Sequence, residues 1–199
     1  GLFRGYIEED FSVVWKQAED NLKKARELNE NDFEVHRLMS EVTLAMKDYR
    51  AAQRHSKLAY DMVPNDPRVL SVYGDVCVRT GKVDEGVDAL KLALDLDPIP
   101  QGKTIADPRH AGLLFAYYMS RDKDGCLEQI GNLDEIDVRS WLITTKICSD
   151  EEHDYENLDW FKEGKTLFAD KDWDKVVPDF RLNNDGASAA LIEFGKGLF

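Results

Sequence analysis

Small residues return at a fixed interval of 34 positions along the first half of this chain. Ala18, Ala52 and Gly86 keep the interval, and so do Ala25, Ala59 and Ala93. Ser40 and Gly74 keep it. Pro64 and Pro98 keep it too, with Glu30 at the equivalent earlier place, and Trp15, Tyr49 and Val83 form a bulkier register. A period this long exceeds one helix or strand, so the repeating object is a small supersecondary unit that must bury its apolar face against its neighbours.

The residue types say what that unit is. Two antiparallel helices that cross closely need small side chains where their backbones approach, here Gly74 on one helix and Ala52 or Gly86 on the other. Met39, Leu44, Tyr73 and Leu90 fill the space between, and Ala59 and Ala93 sit where the second helix meets the next unit. Pro64 and Pro98 end their helices, because proline cannot continue one. Asp66-Pro67 and Asp107-Pro108 each read as a capping aspartate followed by proline in the first helical position, and Asp32 is the matching cap before Phe33. These signals predict first helices near 33–46, 67–80 and 108–119, and second helices near 12–28, 49–62, 83–96 and 123–134. Gly81 falls in the turn of its hairpin. A further pair is expected over 138–148 and 152–169, and a terminal helix over 186–199 with Ala190, Leu191 and Phe194 on one face.

Period and residue types together resemble the tetratricopeptide repeat. The resemblance implies an all-α fold: a right-handed superhelix, or α-solenoid, of helix–turn–helix repeats with a C-terminal capping helix. We read residues 1–199 as one such domain, with clear repeats at 31–64 and 65–98, a partial repeat at 1–30, degenerate repeats at 107–170 and a cap at 171–199. The regularity lapses over 99–106, a Pro/Gly-containing surface loop of the kind that can carry function. The chain opens on Gly1 without an initiator methionine, so a piece of a longer protein is expected. Phe180-Arg181-Leu182-Asn183-Asn184 and Leu191-Ile192-Glu193-Phe194-Gly195-Lys196-Gly197-Leu198 are similar to the tails of bacterial tetratricopeptide arrays that follow a class III nucleotide-cyclase domain or a winged-helix regulator domain. The stretch from Asp75-Val76 to Glu85-Gly86 looks like their middle repeats. This resemblance implies the C-terminal regulatory part of a signalling protein. It does not carry cyclase activity, whose metal-binding and purine-binding motifs are missing from this sequence.

Charge narrows the partner. The formal net charge is −13, and residues 150–179 hold eleven acids against four bases. Such a chain repels nucleic acid and anionic membranes and favours a basic protein partner. The acidic stretch itself reads as a solvated helix face. Cys77, Cys126 and Cys148 are odd in number and widely spaced, which fits neither a disulfide framework nor a zinc site and points to a reducing cytoplasm. No phosphate loop is present. His36 and His110 fall early in first helices and read as packing residues, and His55 and His153 have no partner at ligand spacing. No metal, cofactor or catalytic set is expected.

The candidate site is the concave surface lined by first helices. Residues expected to point into it are Glu34, Arg37 and Glu41, then Arg68, Ser71, Asp75 and Arg79, then Ala111, Phe115 and Tyr118. We take Arg37, Glu41, Arg68, Ser71, Asp75, Arg79, Phe115 and Tyr118 as the partner-binding groove, the charges setting register and the aromatics supplying anchors. Chaperone-binding repeats of this kind hold a C-terminal carboxylate with Lys, Asn and Arg. Arg37 alone, without those partners, is no such clamp. Occupation of the groove by the chain's own C-terminal segment and self-association stay open, and the alternative to an appended regulatory part is a free-standing adaptor.

Overall fold

The computed structural model describes residues 12–98, 108–133, 135–151, 154–173 and 185–199. The expected opening at 1–6, the loop at 99–106, the Asp107 cap, His153 and the 180–184 tail segment lie outside these residues. Among the described residues there are ten helices and no strand. They fall in two compact units, Gly1–Ile99 and Pro100–Phe199. Unit 1 holds α1 (Ser12–Leu28), α2 (Phe33–Ala45), α3 (Tyr49–Met62), α4 (Pro67–Arg79) and α5 (Val83–Leu96). Unit 2 holds α6 (Pro108–Met119), α7 (Lys123–Gly131), α8 (Val138–Asp150), α9 (Asp159–Leu167) and α10 (Asp185–Lys196).

Helix boundaries follow local chemistry. Asp32 accepts from the amides of Glu34 and Val35, Asp66 from those of Arg68 and Val69, and Asp137 from those of Arg139 and Ser140. Each satisfies main-chain donors that the first turn of a helix leaves over. α9 is shorter than the 152–169 expected, because Leu158 is extended and its amide closes a turn onto the Tyr155 carbonyl. α7 likewise stops at Gly131 rather than 134, its end capped by the Asn132 amide on the carbonyls of Gln129 and Ile130.

The α2–α3, α4–α5 and α6–α7 turns repeat one backbone device. The amides of Asp48, Lys82 and Asp122 reach back to the carbonyls of Thr43, Cys77 and Tyr117, each at 2.8 Å. The residue before each amide is in the left-handed region, with φ of 61° at Lys47, 91° at Gly81 and 57° at Arg121. This six-to-one closure is the Schellman ending of a helix. Only the middle turn uses glycine for it.

Helix crossings show why the small residues recur. A Cβ at Gly86 would lie 2.8 Å from the Gly74 carbonyl oxygen and 2.5 Å from Val78 Cγ2, and one at Gly74 would lie 2.9 Å from the Gly86 oxygen. In the first hairpin the same pair of places holds Ser40 and Ala52, and Ser40 Oγ donates to the Ala52 carbonyl at 3.1 Å. In the third they hold Leu114 and Cys126, whose sulfur lies 3.5 Å from the Leu114 oxygen. Unit 2 adds Gly164 of α9 beneath the Trp141 indole of α8, where a Cβ would come within 2.1 Å of the ring. The Trp141 Nε1–H donates to the Phe161 carbonyl at 3.3 Å. α10 packs on α8, with Leu191, Ile192 and Gly195 buried. Gly195 admits Trp173 and Leu142, and the Phe199 ring lies near both Trp141 and Trp173. The expected face of this helix is therefore corrected: Ala190 is exposed and Ile192 takes its place in the core.

Two outcomes follow. Gly86→Ala should lower unfolding stability by about 1–3 kcal/mol in a denaturant melt, because the new methyl meets backbone that cannot swing away. Lys47→Gly should move the other way, raising stability by up to about 1 kcal/mol, since it relieves a left-handed conformation that costs an L-residue about 1–2 kcal/mol but gives back some of that through greater freedom of the unfolded chain.

Candidate functional site

α2 and α4 pack side by side in unit 1. Glu34, Arg37 and Glu41 stand three and four residues apart along α2, so they share one face, and Arg68, Ser71, Asp75 and Arg79 do the same on α4. The charges on this face are already joined. Arg37 grips Glu34 in a fork, Nε to Oε2 at 2.9 Å and Nη2 to Oε1 at 2.6 Å, and reaches Glu41 Oε1 from Nη1 at 2.8 Å. Glu34 continues the line to Arg68 on α4 at 3.6 Å, and Arg68 holds Asp66 Oδ2 at 2.8 Å. Further along α4, Arg79 Nε donates to Asp75 Oδ1 at 2.7 Å. Glu41, Arg37, Glu34, Arg68 and Asp66 thus form one ion-pair chain across two helices. Asp66, read from sequence as a cap alone, is its far end.

Electrostatics follow from these contacts. The hydrogen bond from Arg37 holds the Glu34 carboxyl below the ordinary glutamate range, and the one from Arg68 does the same to Asp66. The arginines sit deeper than their acids. Side-chain exposure is 14% at Arg37 and 12% at Arg79, against 36% at Glu34, 46% at Glu41 and 28% at Asp75. Arg68 is the exception, exposed and lying over the Phe33 ring at 5.9 Å. The face therefore shows carboxylates outward over recessed guanidinium groups.

The two aromatic positions lie in unit 2 and are placed differently from expectation. Phe115 is 4% exposed and belongs to the core, with its ring 6.4 Å from that of Tyr118. Tyr118 is half-buried against a cluster of Cys126, Ile147 and Cys148. α8 packs on both α6 and α7, and it supplies Ile147 and Cys148 of the cluster against which Tyr118 lies. Phe115 is thus no projecting anchor. Ala111 and Ser71 are half-buried.

The structure also joins residues that the sequence left apart. His36 of α2 and His55 of α3 stack in the hairpin interior, with Nδ1 atoms 2.9 Å apart. His110 Nδ1 lies 2.9 Å from Gln129 Oε1 at the same places of the α6–α7 hairpin. Both pairs are separated by 19 residues, a spacing that would have flagged them once the hairpin register was known. Burial pushes the thiols of Cys77 and Cys148 up to about 11 and that of Cys126 up to about 12. All three stay protonated and act as small packing groups. Among the described residues, no set of three or more His, Cys, Asp or Glu side chains could hold a metal ion, and no helix is long and apolar enough to cross a membrane.

Similarity to known proteins lies in the fold. No family model and no curated protein matches the sequence. Among solved structures, one of MamA aligns with a TM-score of 0.59 and 15% identity, covering 78% of this chain and 91% of the MamA chain. A second MamA structure gives 0.59 and 14%, over 80% and 87%. A structure from the functional characterization of Pseudomonas aeruginosa pilF gives 0.59 and 16%, over 94% of this chain and 85% of the other. The shared fold is the all-helical tetratricopeptide type.

The two kinds of site residue should separate on mutation. Phe115→Ala removes a core ring and should cost about 3–5 kcal/mol of stability. Arg37→Ala loosens a partly solvated ion-pair chain and should cost no more than about 1 kcal/mol per pair. Chemical denaturation of both variants beside the parent protein checks the difference.

Proposed function

We propose that this chain is a protein-interaction module whose working surface is the α2–α4 face of unit 1. One observation carries the reading: an ion-pair chain from Glu41 to Asp66 spans two adjacent first helices on a surface that the hydrophobic core does not use. Side chains held in place by each other present a fixed pattern of charge, so a partner meets a preorganised surface and loses less freedom on docking. The outward carboxylates and the net charge of −13 favour a basic segment of protein. The tetratricopeptide-type fold supports a scaffold role, and a non-catalytic one. A cytoplasmic setting suits three buried free thiols.

Two arrangements fit this function. In one, the chain is the C-terminal regulatory part of a bacterial signalling protein, as its tail and middle repeats suggest by resemblance. In the other it is a free-standing adaptor, and this reading fits the tetratricopeptide-type fold at least as well.

A photo-crosslinking residue placed at Ser71, between the charges of α4, should yield a discrete partner adduct in the native cell. The same residue at Asp88, an exposed position of α5, should not. Adduct formation at Ser71 should weaken when Glu34→Lys is added, which reverses the charge of one of the outward carboxylates, with a changed dependence on salt. Identical adducts from Ser71 and Asp88 would place the binding surface elsewhere.

A further inference from the structure

α2 and α3 are pinned by two buried histidines whose hydrogen bonds leave no place for another proton. His36 is 4% and His55 1% exposed, so water does not stand in for a lost bond. The tautomers follow from the neighbours. His36 Nε2 lies 3.0 Å from the Glu30 main-chain oxygen, which only accepts, so Nε2 carries the hydrogen. His36 Nδ1 is then the acceptor of a neutral ring, and the His55 Nδ1–H donates to it across 2.9 Å. His55 Nε2 is left as an acceptor, 3.5 Å from the Arg54 guanidinium.

An added proton has two entry points, and each breaks this arrangement. On His36 Nδ1 it sets two N–H groups against each other. On His55 Nε2 it sets an imidazolium N–H against Arg54. We propose that the His36–His55 pair makes the α2–α3 hairpin a pH-gated latch, closed near neutral pH and opened when either ring takes up a second proton. Opening frees α2, which bears Glu34, Arg37 and Glu41. The latch concerns the hairpin itself and stands whether or not that face binds a partner.

The surroundings act in the same sense. His55 is pushed down to about 4, first by burial, then by Arg54 of its own helix, by His36 of α2 and by Arg26 of α1, with Asp48 at the head of α3 opposing. An unfolded histidine titrates at about 6.5. Because the folded value is the lower one, the stability that the neutral ring contributes is complete above about 6.5 and is lost as pH falls toward 4. Glu34 and Asp66 are depressed as well, but their contributions fade only below the carboxylate range of about 4. The interval from pH 7.5 to pH 5 therefore belongs to His55.

The chain supplies its own controls. The α4–α5 hairpin holds Leu70 and Ala89 at the two equivalent places, both buried and neither titratable. The α6–α7 hairpin holds His110 and Gln129, where an amide oxygen faces the ring at 2.9 Å and accepts its hydrogen at any charge. Same geometry, different acceptor: only the histidine pair is incompatible with acid.

Amide hydrogen exchange resolved to α2 and α3 tests the latch, with opening constants corrected for intrinsic exchange at pH 7.5 and pH 5. In the parent chain the opening constant should rise roughly 30-fold, the factor that titration from about 6.5 to about 4 imposes at pH 5. His36→Leu with His55→Ala writes the second hairpin's residues into the first, and His55→Gln writes in the third hairpin's acceptor. Both should hold the change within about threefold. An unchanged opening constant in the parent chain, or an equal rise in the variants, overturns the proposal. Should neither variant fold, imidazole nitrogen NMR of the parent chain decides. It should show His36 as the Nε2–H tautomer and His55 as Nδ1–H, with His55 gaining no proton in the folded state above pH 5. A His55 ring titrating near 6.5 with the hairpin intact would overturn the latch.

Discussion

How closely two helices of a hairpin can cross sets the terms for the rest of this molecule. At the α4–α5 crossing the carbonyl oxygen of each glycine stands 2.8–2.9 Å from where the other's Cβ would be. That contact leaves no room for error along either helix, so it fixes the phase of both and with it the side on which every other residue falls. The remaining crossings keep the contact by different means. Ser40 bonds to the Ala52 backbone, Cys126 tucks its sulfur beside the Leu114 carbonyl, and α9 answers the bulk of Trp141 with Gly164. The volume available is conserved while the side that yields changes, which is how close-packed interiors accommodate sequence drift.

Inside the phase so fixed, one pair of facing places is filled three ways. Leu70 with Ala89 is apolar, His110 with Gln129 is a hydrogen bond with a neutral acceptor, and His36 with His55 is a hydrogen bond between two bases. The backbone is indifferent to the choice, since all three hairpins close with the same main-chain bonds. Stability and response to the environment can therefore be varied hairpin by hairpin without disturbing the array. The α2–α4 charges obey the same separation of tasks, drawing their order from each other rather than from the core beneath.

The helices were legible because their signals are local. Asp caps, proline stops and the 34-residue register place α2 to α5 within a residue of their observed ends. α9 was overextended because the sequence around Tyr155 is acidic and helix-compatible, and only the Leu158 turn interrupts it. For the candidate site, the charged positions on α2 and α4 could be named from helical spacing, but not their pairing, which depends on how far α4 stands from α2. Phe115 and Tyr118 differ from expectation for a related reason: burial on α6 depends on tertiary packing, and the α8 residues beside Tyr118 enter the chain well after its own hairpin. The His36–His55 contact needed the register applied across a hairpin rather than along a helix.

The indole of Trp141, seated over Gly164 and fully shielded, has an optical consequence. Three of the four tryptophans, Trp141, Trp160 and Trp173, belong to unit 2, and unit 1 has only the half-exposed Trp15. Ultraviolet emission from the intact protein is therefore weighted toward one half of the chain. A shift of that emission to longer wavelength reports water reaching the α8–α9 crossing, while events among α2 to α5 pass nearly dark. The chain carries a built-in fluorophore for its second unit and needs an introduced one for its first.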